Sequence, residues 1–592
     1  MIKRWDNRVQ KEGLSQFLVP FGYGDGGGGP ARDHMEYVKR MEDLEGAPKA
    51  KMCNPADFFK ELEEAGELPE NRYVGELYFQ AHRGVYTSQA KTKKGNRKSE
   101  FALREAEMWG SAAAILAGFV YPLEVMDTQW KKVLLNQFHD ILPGSSIARV
   151  YEEAEASHKE VINTAGEIAK EAARKLCTSE EGITVFNSLS WDRKELVALP
   201  EGWEGAVDAK GNALPAQLID GRLTVEAEVP SCGWAAIRAA VKAVASGVGK
   251  PEGNLLENEH LRVLFNSRGE ISSLYDKDAG RELTAGLCNA FKMYKDIPRL
   301  FDAWDLDSMY EMSPVELEAD AEITAKSAGP LCWQLEIRRK INNSMLTQTV
   351  SLERGSRRLD FKTKINWLES HKLLKVCFPV DIHTEEALHE IQFGYVKRPN
   401  HRSRKFDTDR FEVCNQKWTA VAEEDRGVAV LNDCKYGVNV LDGSVNLTLL
   451  KAAKAPDFNA DTGIQEFTYS LYCWNGPLIS SNVVREAYEV NCPVAITAGT
   501  SESRSLFAID ASNIIIDTVK PAEDGSGDLI VRLYECMRTS TRCTVKTALA
   551  INSAVQTNML EVPEKVLKTG GVSISLEFRP FEIKTLRLGC GR

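Results

Sequence analysis

Apolar residues recur along the chain in two rhythms. Between Lys98 and Leu176 they return at helical spacing: Ala154, Val161, Ala165, Ile168, Ala172 and Leu176 share one helix face, and two earlier segments, 98–118 and 127–140, also read as helix. Three such helices with short connections predict a helical bundle over 98–177. After Thr178 the rhythm shortens to apolar or alternating runs broken by Gly, Pro, Asn and Asp, as in GITVFNSLSW, GVAVLNDCKYGVNVL and DLIVRLYE. Turn signals at about eight- to twelve-residue spacing predict antiparallel β-sandwich domains through to the C-terminus.

Ahead of the bundle, residues 14–21 (LSQFLVPF) predict a short buried strand. A glycine-rich turn follows, Gly22 to Gly29, and Pro30 suits the first turn of a helix running to about Leu44. One strand–loop–helix unit cannot cover both faces of a parallel sheet, so 1–52 reads as the trailing edge of a larger α/β domain. The predicted chain is multidomain α+β. Residues 1–52 form that edge, 53–97 a connection, 98–177 the bundle, 178–250 a small β domain, 251–495 a large β-sandwich and 496–592 a C-terminal β domain.

With 592 residues, 43% of them hydrophobic, the chain can bury several cores. Its net charge of -11 and pI near 5.6 disfavour nucleic acid and anionic membranes, which need a basic face. The thirteen cysteines are scattered, odd in number and never spaced C-x-x-C, which reads as reduced thiols. The opening MIKRWDNRVQKEG has no apolar stretch of the secretory kind, and no run of about 18 apolar residues follows. A cytoplasmic location is expected.

Three segments hold residues suited to chemistry. In FGYGDGGGGP, 21–30, consecutive glycines let a backbone approach a ligand closely, and Asp25 is the one charged side chain of the turn. Gly22, Gly24 and Gly27 also satisfy G-x-G-x-x-G. Asp25 would repel a pyrophosphate, though, and no second βαβ half follows. A plain surface turn is the alternative. In GELYFQAHRGVYTSQAKTKKGNRKSE, 75–100, Tyr78, Phe79, His82, Tyr86, Thr87 and Ser88 mix aromatic and hydroxyl groups, which suits a sugar platform. The same pattern also fits a half-buried strand feeding a basic solvated loop. In WKKVLLNQFHDILPGSSI, 130–147, Trp130, Leu134 and Phe138 share a helix face, and Pro143 and Gly144 enforce a stop. His139 and Asp140 then fall at the carbonyl end, where partial negative charge favours a divalent cation within reach of an imidazole. A capping histidine is the alternative.

In this order and spacing, the three segments resemble glycoside hydrolase family 38, especially its cytosolic α-mannosidase branch. The likeness continues through IPRLFDAWDLDSMYE (297–311), EIQFGYVKRP (390–399), GVAVLNDCKYG (427–437), PDFNADTG (456–463), IIIDTVKPAEDG (514–525) and LIVRLYE (529–535). It implies a retaining exo-acting glycosidase that removes terminal α-linked mannose from oligosaccharides, with a bound divalent metal, zinc or alternatively cobalt. Such chemistry uses two carboxyl groups about 5–5.5 Å apart. By the resemblance, Asp25 is the acid/base carboxylate, His139 a metal ligand and Asp140 a hydrogen-bonding partner of the mannose, with His82 and Tyr86 facing the sugar. These residues are expected to line one pocket, and the protein is expected to be a homo-oligomer.

The sequence also departs from the family's pattern. The family's H-x-D motif is absent, since none of the nine histidines is followed two residues later by Asp. The resemblance therefore implies the C-terminal two-thirds of such an enzyme. Roughly 250 residues of catalytic barrel, including the nucleophile, would be encoded elsewhere. A fragment or split-enzyme half, inactive alone, is expected; a non-catalytic carbohydrate-binding protein is the alternative. Lys451 and Ala452 stand where the pattern leads to an arginine, and Cys473 and Trp474 where it leads to Pro-His.

Overall fold

Asn54, Pro55 and Asp57 begin a helix that the hydrophobic pattern does not predict. The Asn54 side chain accepts the Asp57 N–H at 3.0 Å, Pro55 occupies the first turn, and left-handed Gly66 ends the helix. The structure, a computed structural model, describes residues 2–9, 11–24, 27–66, 72–240, 244–245, 253–317 and 319–590. It divides into two units, Met1–Leu77 and Tyr78–Arg592. Helices α1 (Ile2–Asp6), α2 (Arg32–Arg40) and α3 (Pro55–Ala65) belong to the first. The strand expected at 14–21 does not form. A strand needs a neighbour for its backbone N–H and C=O groups, and no segment of this unit is a strand among the described residues.

The second unit opens with the long helices α4 (Ala90–Ala117), α5 (Leu123–Asn136) and α6 (Ala148–Leu176). Leu103 and Ala106 of α4, Met126 and Val133 of α5, and Val161 and Ala165 of α6 close their shared core. A second face of α4, with Met108 and Trp109, packs with the end of α6 into the core of the C-terminal β region. The bundle is thereby joined to the β structure. Helix α5 stops at Asn136, so Phe138 lies beyond it in a turn. Trp130 packs against the bundle core while Leu134 and Phe138 are exposed, so the three do not form one buried face.

Between α4 and α5 the Trp130 indole N–H donates to buried Glu107 at 2.7 Å. Burial pushes this carboxyl from 4.5 up to about 7, with Trp130 pulling the other way. The folded chain therefore holds this proton more tightly than the unfolded chain does. The stabilisation is full below about 4.5 and is lost as pH rises through about 7, and at ~1.4 kcal/mol per unit it amounts to about 3 kcal/mol. Urea unfolding of the bundle should show that loss between about pH 4.5 and pH 7. Glu107→Gln, which keeps the acceptor for Trp130, should remove most of it.

From Ser179 onward the described residues form seven sheets. A nine-stranded sheet built from 321–475 and a six-stranded sheet built from 290–451 enclose the largest core, around Phe361, Trp367, Phe378 and Tyr469. The last 80 or so residues pack a three-stranded sheet on a five-stranded one. Strand Ala495–Thr500 pairs with Ser179–Asn187, drawing the chain back to the first β domain. The only parallel contact among the described strands is the short one at Pro215↔Val244 and Ala216↔Ala245. Helix α7 (Val483–Asn491) interrupts the strands, and its buried Val483, Val484, Ala487, Tyr488 and Asn491 carry a helical spacing the sequence already held. No helix among the described residues is long and apolar enough to cross a membrane.

Candidate functional site

Four loops of the second unit converge on the start of α4. The first is 78–90. His82 adopts φ 58 and donates its backbone N–H to Asp305 Oδ1 at 2.6 Å, and a one-turn helix, Arg83–Tyr86, follows. Gly84 is required there, because a Cβ would lie 2.7 Å from the Asp305 carbonyl oxygen. The Ser88 hydroxyl donates to the Ala303 carbonyl at 2.6 Å, which fastens the second loop, 299–305. The third, 454–461, is tied to the second by Asp302, whose Oδ2 accepts the Lys454 and Ala455 N–H groups at 2.6 and 3.1 Å. His371 Nε2 lies 3.2 Å from the same oxygen.

Asp461 of the third loop caps α4. Its two carboxylate oxygens accept the N–H groups of Gln89 and Ala90 at 3.0 and 2.7 Å, at the helix end whose dipole favours an anion. Burial pushes this carboxyl up to about 6, against the Ala90 N–H, Lys435 and Lys93. The Gln89 side chain donates to Asp457 at 2.7 Å. The fourth loop, 138–146, presses Gly144 onto Ser88 so closely that a Cβ would sit 2.4 Å from the Ser88 carbonyl oxygen.

His82, Gln89, Phe301, His371 and Asp461 all hold positive φ. Conformations of this kind cost about 1–3 kcal/mol each and persist where surrounding structure over-determines them, often at functional sites.

The sequence-derived candidates fall into place unevenly. His139 projects into solvent, its side chain 75% exposed, with Nε2 3.4 Å from Asp140 Oδ2 and its ring 4.3 Å from that of Phe138. Asp140 is tied into its turn: Oδ1 accepts the Ser145 hydroxyl at 2.7 Å, and its carbonyl accepts the Tyr151 hydroxyl at 3.1 Å. His82 packs edge-on against Phe79, and half-buried Tyr86 has its phenol pushed up by burial. His82 and Tyr86 thus share the first loop, His139 and Asp140 the fourth, and Ser88 joins the two. Asp25 lies outside the described residues, and its position relative to the others is not part of this geometry.

The basic solvated loop expected in 75–100 is instead the first turns of α4. Lys93, Asn96 and Arg97 are buried because carbonyls, a carboxylate and a phenol meet them. Asp302, Asp305 and Asp461 carry no role in the sequence reading, although the segments FDAWDLD and PDFNADTG contain them. Lys451 forms a buried ion pair with Asp296, while Cys473 and Trp474 are core residues, Trp474 packed on Gly427.

A catalytic zinc usually takes three protein ligands. Among the described residues no three His, Cys, Asp or Glu side chains gather as a cation site. His139 and Asp140 offer two donors, which do not hold such an ion by themselves.

Family models match in four stretches: the glycosyl hydrolases family 38 N-terminal domain at 1–81, the alpha mannosidase middle domain at 80–176, the family 38 C-terminal domain at 256–459 and its C-terminal beta sandwich domain at 513–586. The chain belongs to glycoside hydrolase family 38. It is 34% identical to human alpha-mannosidase 2C1 over 99% of this chain and 57% of that protein. To the alpha-mannosidase of Saccharomyces cerevisiae it is 29% identical over 96% and 54%. The chain thus spans little more than half the length of these relatives; the matches do not bear out the reading of it as a fragment. A solved alpha-mannosidase from Enterococcus faecalis V583 shares the fold, with a TM-score of 0.79 at 21% identity, covering 94% of this chain and 74% of that one.

Proposed function

We propose that these residues form the sugar-facing wall of a retaining exo-α-mannosidase acting on terminal mannose of oligosaccharides. The observation that carries this reading is the convergence of the four loops on the start of α4. Each brings one exposed ring, Phe79, Phe301, Phe458 and Phe138 respectively, beside acids and histidines suited to hydroxyl groups. Ring faces stack on the C–H face of a pyranose, and carboxylates accept from its hydroxyls.

In this reading Asp140 accepts from a mannose hydroxyl, His82 and Tyr86 flank the sugar, and Asp25 acts as acid then base. His139 is the residue these 592 would give to a divalent metal, zinc or cobalt, which would polarise the sugar's hydroxyls when bound. The described residues do not complete that site. The thirteen free thiols support a cytoplasmic location. Self-association and a separately encoded catalytic barrel are the partners the reading carries.

Titration of methyl α-mannoside, followed by saturation-transfer NMR, tests the wall itself. Asp140→Ala removes a charge-assisted hydrogen bond worth ~1.5–3 kcal/mol, so affinity should fall by roughly 10- to 100-fold. Unchanged affinity in Asp140→Ala would refute the assignment. The absence of H-x-D from the 592 residues favours one second reading, a carbohydrate-binding protein without hydrolysis. It would bind the same ligand with the same Asp140 dependence.

A further inference from the structure

Lys93 lies on the first turn of α4 and is 5% exposed. Its ammonium meets carbonyl oxygens: Ser88 at 2.5 Å, Leu142 at 2.8 Å and Pro143 at 3.2 Å. An ammonium has three N–H donors and no acceptor, so these three carbonyls match it. They come from two of the converging loops. Ser88 ends the turn that holds His82 and Tyr86, and Leu142 and Pro143 lie in the turn that holds His139 and Asp140.

We propose that Lys93 is a positioning residue of this site. Its ammonium fastens the 138–146 turn to Ser88, and loss of its proton releases that turn. A neutral amine keeps two donors and turns a lone pair toward the third carbonyl, so one attraction becomes a repulsion. The charged groups packed around it are Asp461, which favours the proton, and Lys435, which opposes it; Asp457 holds Gln89 nearby, and Asp140 sits on the fastened turn itself. Burial pulls Lys93 down to about 7, outweighing Asp461, so the switch lies in the neutral range. Once the ammonium lets go, the turn keeps the Ser145 and Tyr151 bonds to Asp140 and the Ser146 N–H bond to Tyr151.

The importance of this turn for sugar binding rests on the function proposed above, but the fastening does not, so the test reads backbone opening. Amide hydrogen exchange is followed by mass spectrometry on the full chain, wild type and Lys93→Met, with rates corrected for intrinsic pH dependence. Methionine keeps the apolar stem and removes the donors. At about pH 6 the variant should lose roughly tenfold or more of the protection over 138–146, while the bundle core at 161–172 stays unchanged. The wild type should lose the same protection between about pH 6 and pH 8.5, and the variant should show no such step. His139 and Asp140 are present in both proteins, so a step seen in the wild type and missing from the variant belongs to Lys93. Wild-type protection retained in Lys93→Met, or a flat wild-type profile, would overturn the inference. If the variant also loses core protection, Lys93→Arg replaces it: it stays charged across this range, so its protection over 138–146 should show no step between about pH 6 and pH 8.5, and a wild-type-like step there would overturn the inference. A turn that opens as expected while mannoside affinity stays constant would sink the proposed function and leave the fastening intact.

Discussion

Asp461→Ala is expected to open the N-terminal end of α4. The carboxylate satisfies two buried N–H groups at once, those of Gln89 and Ala90, and its charge favours the ammonium forms of Lys93 and Lys435. Alanine leaves both N–H groups without an acceptor, at about 1–3 kcal/mol each, and leaves two buried cations short of a counter-charge. Relaxation and water entry recover part of this, so a net loss of about 3–5 kcal/mol is expected locally. In a multidomain chain it should be read locally. Amide exchange over 89–94 should speed up on the order of 10²-fold or more, with little change in the C-terminal sandwich. Asp461→Asn, which keeps one acceptor oxygen, should fall between. Protection unchanged in Asp461→Ala would mean that α4 is held by packing alone.

That cap also explains what the sequence revealed and what it hid. The bundle and the sandwiches were legible because their cores repeat: Val161, Ala165, Ile168 and Ala172 lie a helical turn apart, and strands such as Arg358–Trp367 alternate buried and less buried positions. The helical start at Ala90 was not legible. It depends on a carboxylate 371 residues away, and KTKKGNRK reads as a solvated run until Asp461 and three carbonyls are brought to it. Local propensity cannot register a partner so distant in sequence.

The candidate site was read by motif and only partly by chemistry. Aromatic, hydroxyl and imidazole groups in short segments drew attention to His82, Tyr86 and His139, while the roles given to them and to Asp140 came from the resemblance of those segments to the family's motifs. The acids that hold their loops, Asp302, Asp305 and Asp461, act through backbone N–H groups, which leave no pattern in side-chain identity. The strand expected at 14–21 failed for a related reason, because an apolar run specifies a strand only when another strand is there to pair with it.

The largest effect expected of the account concerns turnover. Hydrolysis with retention needs a nucleophilic carboxylate about 5–5.5 Å from the acid/base group, and losing a nucleophile commonly costs on the order of 10⁴-fold or more in rate. The 592 residues contain no His-x-Asp, and their described part gathers no three metal-ligating side chains. On the proposed reading, in which the nucleophile is encoded separately, binding a mannoside and cleaving one separate in this chain.

The central claim is tested most directly by aryl α-mannoside hydrolysis. The purified 592-residue chain, with zinc or cobalt added, is measured alone and with a polypeptide carrying a family 38 barrel and its H-x-D motif. The account expects no turnover above background from the chain alone. In the mixture it expects metal-dependent turnover that His139→Ala reduces by roughly 10³-fold or more, as for loss of one member of a cooperating catalytic set. Robust metal-dependent turnover by the 592 residues alone would contradict it.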